Sequence, residues 1–331
     1  MTNLTIYGKN RTEHKNTREG CRAIIVNEGK ILLSVEEATG LCMLPGGGVE
    51  AGESYPDCCR REVLEECGYK IEDMKGITWE KFLEIGKEVY AKTGKALLPM
   101  DGSGNDLPYM MMQAEGDSQF KDGKAFIAGN EKLQRIVQLQ VDMVKEHVLI
   151  LANDWTGYTN ETIQQDQVAG VFNGNWIIPT MSQVTDNSGK WQITTIPTLD
   201  GGDGYAANGG SSLYITANCK NPELAKKFLA YTFGGSMKTY DEALLKGGVI
   251  GCCLSAAKFE VYSEGVPFFN GQAVYSDIVE MGSHVPIVEQ NDYHYTVRQY
   301  IGNAIQNILN GADVEAALQE AQELIDFAME Q

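Results

Sequence analysis

Glu62, Glu65 and Glu66 stand at i, i+3 and i+4. In a helix that spacing sets three carboxylates on one face. Like charges so close repel one another and weaken a bare helix. A divalent cation removes the conflict, and hard oxygen donors at this density suit Mg²⁺ or Mn²⁺. Arg61 adds a guanidinium beside them, and Glu53 a further acid on the approach. An acidic, solvated helix face reads the same way, and the three glutamates alone do not separate the two.

A second group is aromatic. Trp176 follows a Gly-Asn corner, with Asn175 before it, and Tyr293-His294-Tyr295 opens a helical stretch. Flat rings with short polar neighbours suit sugars, whose ring faces are apolar and whose edges carry hydroxyls. Each ring alone is equally a core or rim residue. The chain has four histidines, none paired at metal spacing, which speaks against zinc.

The elements that must hold these groups follow from pattern. Arg22–Val26 and Lys30–Val35 read as short strands around an Asn27-Glu28-Gly29 turn. The Leu44-Pro45-Gly46-Gly47-Gly48 cluster allows a tight turn. Ser54 caps a helix over Asp57–Cys67 that Gly68 ends. Thr78 caps an amphipathic helix that ends at Lys92-Thr93-Gly94-Lys95, followed by a strand over Leu97–Met100. Helices are expected over Asn130–Lys145, Pro222–Thr232, Tyr293–Asn310 and Glu315–Met329, and a strand over Gly209–Ala217. Alternating strands and helices indicate an α/β fold.

Gly47, five residues, Glu53, seven residues, then Arg61-Glu62-Val63-Leu64-Glu65-Glu66-Cys67-Gly68-Tyr69 matches the Nudix box at every defined position. Residues 18–71 resemble Nudix hydrolases. The resemblance implies Mg²⁺- or Mn²⁺-dependent attack of water on a nucleoside diphosphate derivative. In it Glu65 and Glu66 are the main metal ligands, and Glu62 binds metal or activates water. Glu53 and Arg61 orient the set, and the Gly47 carbonyl adds a ligand. The family continues past its box with strands, a second helix and a further acid, and here the resemblance stops close to Gly68.

Further on, T-W-E-K-F, V-F-N-G-N-W, S-S-L-Y-I-T-A-N-C-K-N-P-E-L-A-K-K-F-L and Y-H-Y-T-V-R-Q-Y-I-G-N-A-I-Q-N-I-L-N-G occur in order. With the terminal V-E-A-A-L-Q-E-A-Q they resemble the sugar-type extracellular solute-binding proteins of ABC transporters. That resemblance, over residues 77–331, implies a two-lobed α/β fold of periplasmic binding protein type II that needs no cofactor. It also implies a carbohydrate ligand and an ABC permease as partner. Trp176 falls at the family's stacking position, and His294 where some members place another ring. Asn175, Tyr293 and Tyr295 are weaker carry-overs.

Two domains are therefore expected: a partial Nudix-like α/β/α fragment over 1–75, and a solute-binding-protein-like domain over 76–331. The second consists mostly of a C-terminal lobe plus a return segment of the N-terminal lobe, about Ser211–Tyr262. Carbohydrate binding is the leading function, Nudix hydrolysis the alternative, and a fusion of two fragments with neither activity the third. Of the net charge of −18, residues 1–76 carry −3 (10 Lys/Arg against 13 Asp/Glu) and the remainder −15. Such acidity argues against nucleic acid or an anionic membrane as partner. No apolar run approaches the ~20 residues of a membrane span, and the first residues lack an apolar signal region, so the expected location is cytoplasmic. The eight cysteines include the vicinal pairs Cys58–Cys59 and Cys252–Cys253 and read as thiols in a reducing compartment.

Overall fold

The computed structural model describes residues 20–27, 30–35, 40, 42–67, 76–101, 103–152, 159, 163–165, 167–234 and 236–330. The chain forms two compact units, Met1–Asp73 and Met74–Gln331.

In the first unit Val26–Asn27 (β1) and Lys30–Ile31 (β2) pair antiparallel, with Val26 opposite Ile31. The expected turn residues Glu28 and Gly29 lie outside the described residues. Ser34–Val35 (β3) pairs with Cys42–Met43 (β4), and Gly20 bridges to Gly48. The helix α1 spans Tyr55–Cys67, two residues longer at its start than expected. The Ser54 hydroxyl accepts the Asp57 amide at 3.3 Å, closing the first turn. Gly68, the expected stop, lies outside the described residues.

The second unit begins with α2, Trp79–Thr93. Thr78 caps it by accepting the Lys81 amide, and Gly94, at φ 70°, ends it by donating to the Tyr90 carbonyl. Next come β5 (Leu98–Asp101), α3 (Asp106–Ala114), β6 (Phe120–Lys121), β7 (Lys124–Ala125), α4 (Glu131–Lys145) and β8 (Leu149–Ala152). β5 and β8 run parallel, Leu98 opposite Leu149, with α3 and α4 in the crossover. Isolated parallel bridges join Ala96 to Val168 and Thr78 to Thr198.

The chain continues through α5 (Ile178–Met181), α6 (Pro222–Phe233), α7 (Met237–Gly247), α8 (Glu260–Ser263) and α9 (Val274–Ser283). It closes with the helical pair α10 (His294–Leu309) and α11 (Val314–Met329). Asp313 caps α11 by accepting the Ala316 amide at 3.0 Å.

Two apolar cores organise this unit. The first packs α2, α3, α4, α10 and α11 around Trp79, Met111, Leu133, Ile136, Ile301 and Ile305. The second gathers Ile163, Ile177, Met181, Leu244, Tyr262, Phe269 and Val274. The architecture is mixed α/β, as expected, but the expected strand Arg22–Val26 is strand only at Val26, continuing to Asn27, and Lys30–Val35 divides into β2 and β3. Gly209–Ala217 forms no strand: among the described residues nothing pairs with it, and a strand without a ladder partner does not persist. Leu213 and Tyr214 stand exposed there, and α6, which follows, buries no residue.

Candidate functional site

The first cluster is built where the glycine loop meets α1. Gly46 sits at φ 148°, where an added Cβ would collide with the Cys21 carbonyl, and a Cβ at Gly47 would strike the Glu62 carboxylate. Glycine at both positions lets the loop lie flat on α1. Arg61, on that helix, is the hub. Its Nε and Nη2 donate to the two oxygens of Glu53 at 2.9 and 3.0 Å. Its Nη1 donates to Glu62 at 2.8 Å and Glu65 at 3.3 Å, and its Nη2 to the Gly48 carbonyl at 3.0 Å. Glu66 instead accepts the Gly46 amide at 3.2 Å. The Gly47 carbonyl accepts the Cys21 amide at 3.0 Å.

The crowding that was expected to call for a cation is thus answered by Arg61. The acids close on its guanidinium, and among the described residues no three Asp, Glu, His or Cys side chains converge on a common cation position. Glu62, Glu65 and Glu66 are the groups that would hold a divalent ion, and in this arrangement the first two are bonded to Arg61. Buried beneath it, the Cys58 thiol is pushed up to about 11 by desolvation, so it is protonated at neutral pH.

Hydrogen bonds from Arg61, and then from the Glu50 amide, hold the Glu53 carboxyl at about 2, well below its ordinary 4.5. A depressed carboxylate stabilises the fold above its unfolded pKa and loses that contribution as pH falls through its folded one. The window here is pH 4.5 down to about 2. An NMR titration should place the Glu53 carboxyl midpoint near 2 in the native chain, and Arg61→Gln should return it toward ~4. A native midpoint above ~4 would contradict the Arg61 hub.

The second cluster lies in the second unit. Gly174 allows the Trp176 ring to fold back over the backbone, since a Cβ there would overlap the ring. The indole is 43% exposed. Across it runs the segment 208–210, with Gly209 close enough that its Cβ would touch the ring at 3.6 Å. Next to Gly209, Asn208 Oδ1 accepts from Arg298 of α10 at 2.9 Å. Around Arg298 stand His294 and Tyr295 from α10 and Tyr109 from α3. His294 meets Tyr109 edge-on at 4.7 Å and Tyr295 at 5.1 Å. Burial lowers the His294 pKa, keeping the imidazole neutral, so its Nε2 accepts from Arg298 at 3.4 Å. The Tyr109 hydroxyl accepts the Gln290 amide at 2.7 Å.

The segment 208–210 is thus met by Trp176 at Gly209 and, at Asn208, by Arg298, around which His294 and Tyr295 stand. The structure places the other two predicted residues differently. Asn175 is committed to the Gly248 carbonyl through its side-chain amide. Tyr293 is the residue before α10, its amide bonded to Asn291 Oδ1 at 2.9 Å. Sequence reasoning missed Tyr109 and Arg298. For Arg298 a signal existed, since it lies at i+4 from His294 and a helix puts the two on one face. A separate cavity of about 250 Å³ is lined by Glu115, Gly202, Asp203, Tyr205, His284 and Pro286, among others, and none of the predicted residues lines it.

Known proteins bear on both clusters. Residues 58–261 match the bacterial extracellular solute-binding protein family, and residues 17–95 match the NUDIX domain; the two overlap over 58–95. The chain is 32% identical over 264 residues to a lactose-binding protein of Rhizobium radiobacter, covering 78% of this chain and 62% of that protein. An arabinooligosaccharide-binding protein of Halalkalibacterium halodurans is 25% identical over 296 residues, covering 82% and 63%. The chain thus spans less than two thirds of the length of these relatives.

Among solved structures, the GacH receptor of Streptomyces glaucescens, described with acarbose, superposes with a TM-score of 0.62 at 18% identity. That match covers 80% of this chain and 66% of that one. The sugar-binding protein MalE of Xanthomonas citri gives 0.60 at 17% identity, covering 81% and 66%. At these identities the likeness shows the fold, that of the periplasmic sugar-binding proteins. No helix among the described residues is long and apolar enough to cross a membrane.

Proposed function

We propose that this chain, which belongs to the bacterial extracellular solute-binding protein family, binds an oligosaccharide as the recognition component of an ABC-type importer. The observation that carries this reading is that Trp176 and Arg298, the latter surrounded by Tyr109, His294 and Tyr295, both contact the segment 208–210. The exposed rings of Trp176 and Tyr295 take the C–H faces of a sugar, and a neutral imidazole with neighbouring amides takes its hydroxyls. Burial of His294 favours this neutral form. The lactose- and arabinooligosaccharide-binding relatives suggest which sugars to try. Isothermal titration of the full chain with lactose, arabino-oligosaccharides and malto-oligosaccharides should give a saturable heat for at least one. No heat with any of them overturns the proposal.

We assign this binding to residues 76–331 and a separate Nudix-type role to residues 1–75. The second reading is hydrolysis of a nucleoside diphosphate derivative, favoured by the NUDIX match over residues 17–95. Its check is Mg²⁺-dependent release of phosphate or nucleotide. Activity that survives Glu65→Gln would remove the α1 acids from the chemistry.

A further inference from the structure

We infer that Arg298 is the positioning residue of the proposed saccharide site, holding the rings on α3 and α10 and the segment 208–210 in one arrangement. The inference rests on the oligosaccharide reading and names how its site is assembled. Arg298 is 4% exposed, and a guanidinium buried to that degree persists only where its charge is paired and its donors satisfied. Here the charge and the two terminal nitrogens, Nη1 and Nη2, are met from three stretches of chain. Asp106 at the start of α3 pairs with it, and Asn105 beside it accepts from Nη2 at 3.3 Å. Asn208 and His294 accept from Nη1.

The flat face of the group is used as well. Its central carbon lies 5.0 Å from the Tyr109 ring centroid and 5.5 Å from that of Tyr295, within cation–π range. With these donors taken up by protein, Arg298 acts on a ligand through the groups it holds. It fixes Tyr109, His294 and Tyr295 directly. Through Asn208 it fixes the backbone that passes Trp176 at Gly209.

Lysine keeps the charge but has neither the planar fork nor the stacking face, so it does not replace this arginine. Arg298→Lys is compared with the native chain in two ways. Near-UV circular dichroism without ligand reads the fixed environment of the tyrosines, and isothermal titration reads affinity for the tightest sugar of the panel. The expected result is a weakened tyrosine signal and a dissociation constant raised at least about tenfold, with helical far-UV signal retained. An unchanged tyrosine signal together with affinity within about twofold of native overturns the inference.

If the native chain binds no sugar, the oligosaccharide reading fails, and the tyrosine signal of unliganded Arg298→Lys alone decides the positioning role. If Arg298→Lys does not fold, Asn208→Ala, which removes one acceptor, decides it at unchanged melting temperature. A changed tyrosine signal then supports the role, and an unchanged one overturns it.

Discussion

Trp79→Ala is expected to lower the unfolding free energy of residues 76–331 by about 3–5 kcal/mol. Trp79 opens α2 and is 1% exposed. Its indole meets Phe82 at 5.4 Å and Phe172 at 6.0 Å, both edge-on, so it ties α2 to the loop that leads to Trp176. Its backbone amide donates to the Thr198 carbonyl at 2.9 Å, within the isolated bridge of Thr78 to Thr198. Alanine keeps this hydrogen bond and removes only the ring, so the loss is one of packing and cavity. The surrounding Phe rings are held by their own elements and collapse only partly into the void. Urea unfolding followed by circular dichroism should show the midpoint falling at constant slope. A loss below ~1 kcal/mol would mean that Trp79 is not the core anchor described here.

Leu244→Ala should cost about 2–5 kcal/mol in the second core. Leu244 is fully buried on α7 and packs in the same cluster as Ile177, Ile178 and Met181, which directly follow Trp176. Most buried side chains of this core come from stretches far apart in sequence, 152–181 and 244–275. Its formation therefore closes a long loop, and its loss should be cooperative. Combining Leu244→Ala with Trp79→Ala separates two cases. If the cores unfold together, one transition shifts by roughly the sum of the two effects. If they are independent, each substitution moves only its own transition. A Leu244→Ala chain with an unshifted urea midpoint would contradict the second core.

Much of this was written in local sequence. Thr78, the apolar period after it and Gly94 specify α2 to the residue, because cap and stop are short-range chemistry. Asn130 and α4 follow the same logic: the side chain accepts the Leu133 amide at 3.1 Å. The Nudix resemblance marked Arg61 and Glu53 as residues that orient the acids, but not that Arg61 pairs with Glu53, Glu62 and Glu65 together.

What stayed hidden depends on distant partners. Leu107–Ala114 is buried on every side, so α3 carries no amphipathic period to detect. Tyr109 on it meets His294 only because α3 packs close to α10, a contact 185 residues apart in sequence. Gly209–Ala217 has the composition of a strand, but pairing is a property of two segments, and composition cannot supply the second.

The rings beside residues 208–210 are proposed to form an oligosaccharide site. The most direct measurement is isothermal titration of the native chain and of Trp176→Ala with the tightest sugar of the panel. Trp176 is half-exposed and contributes little to either core, so the variant should melt like the native chain. Its sugar affinity should fall by about 10- to 100-fold, the effect of removing one aromatic anchor. Native-like affinity in Trp176→Ala would contradict the account.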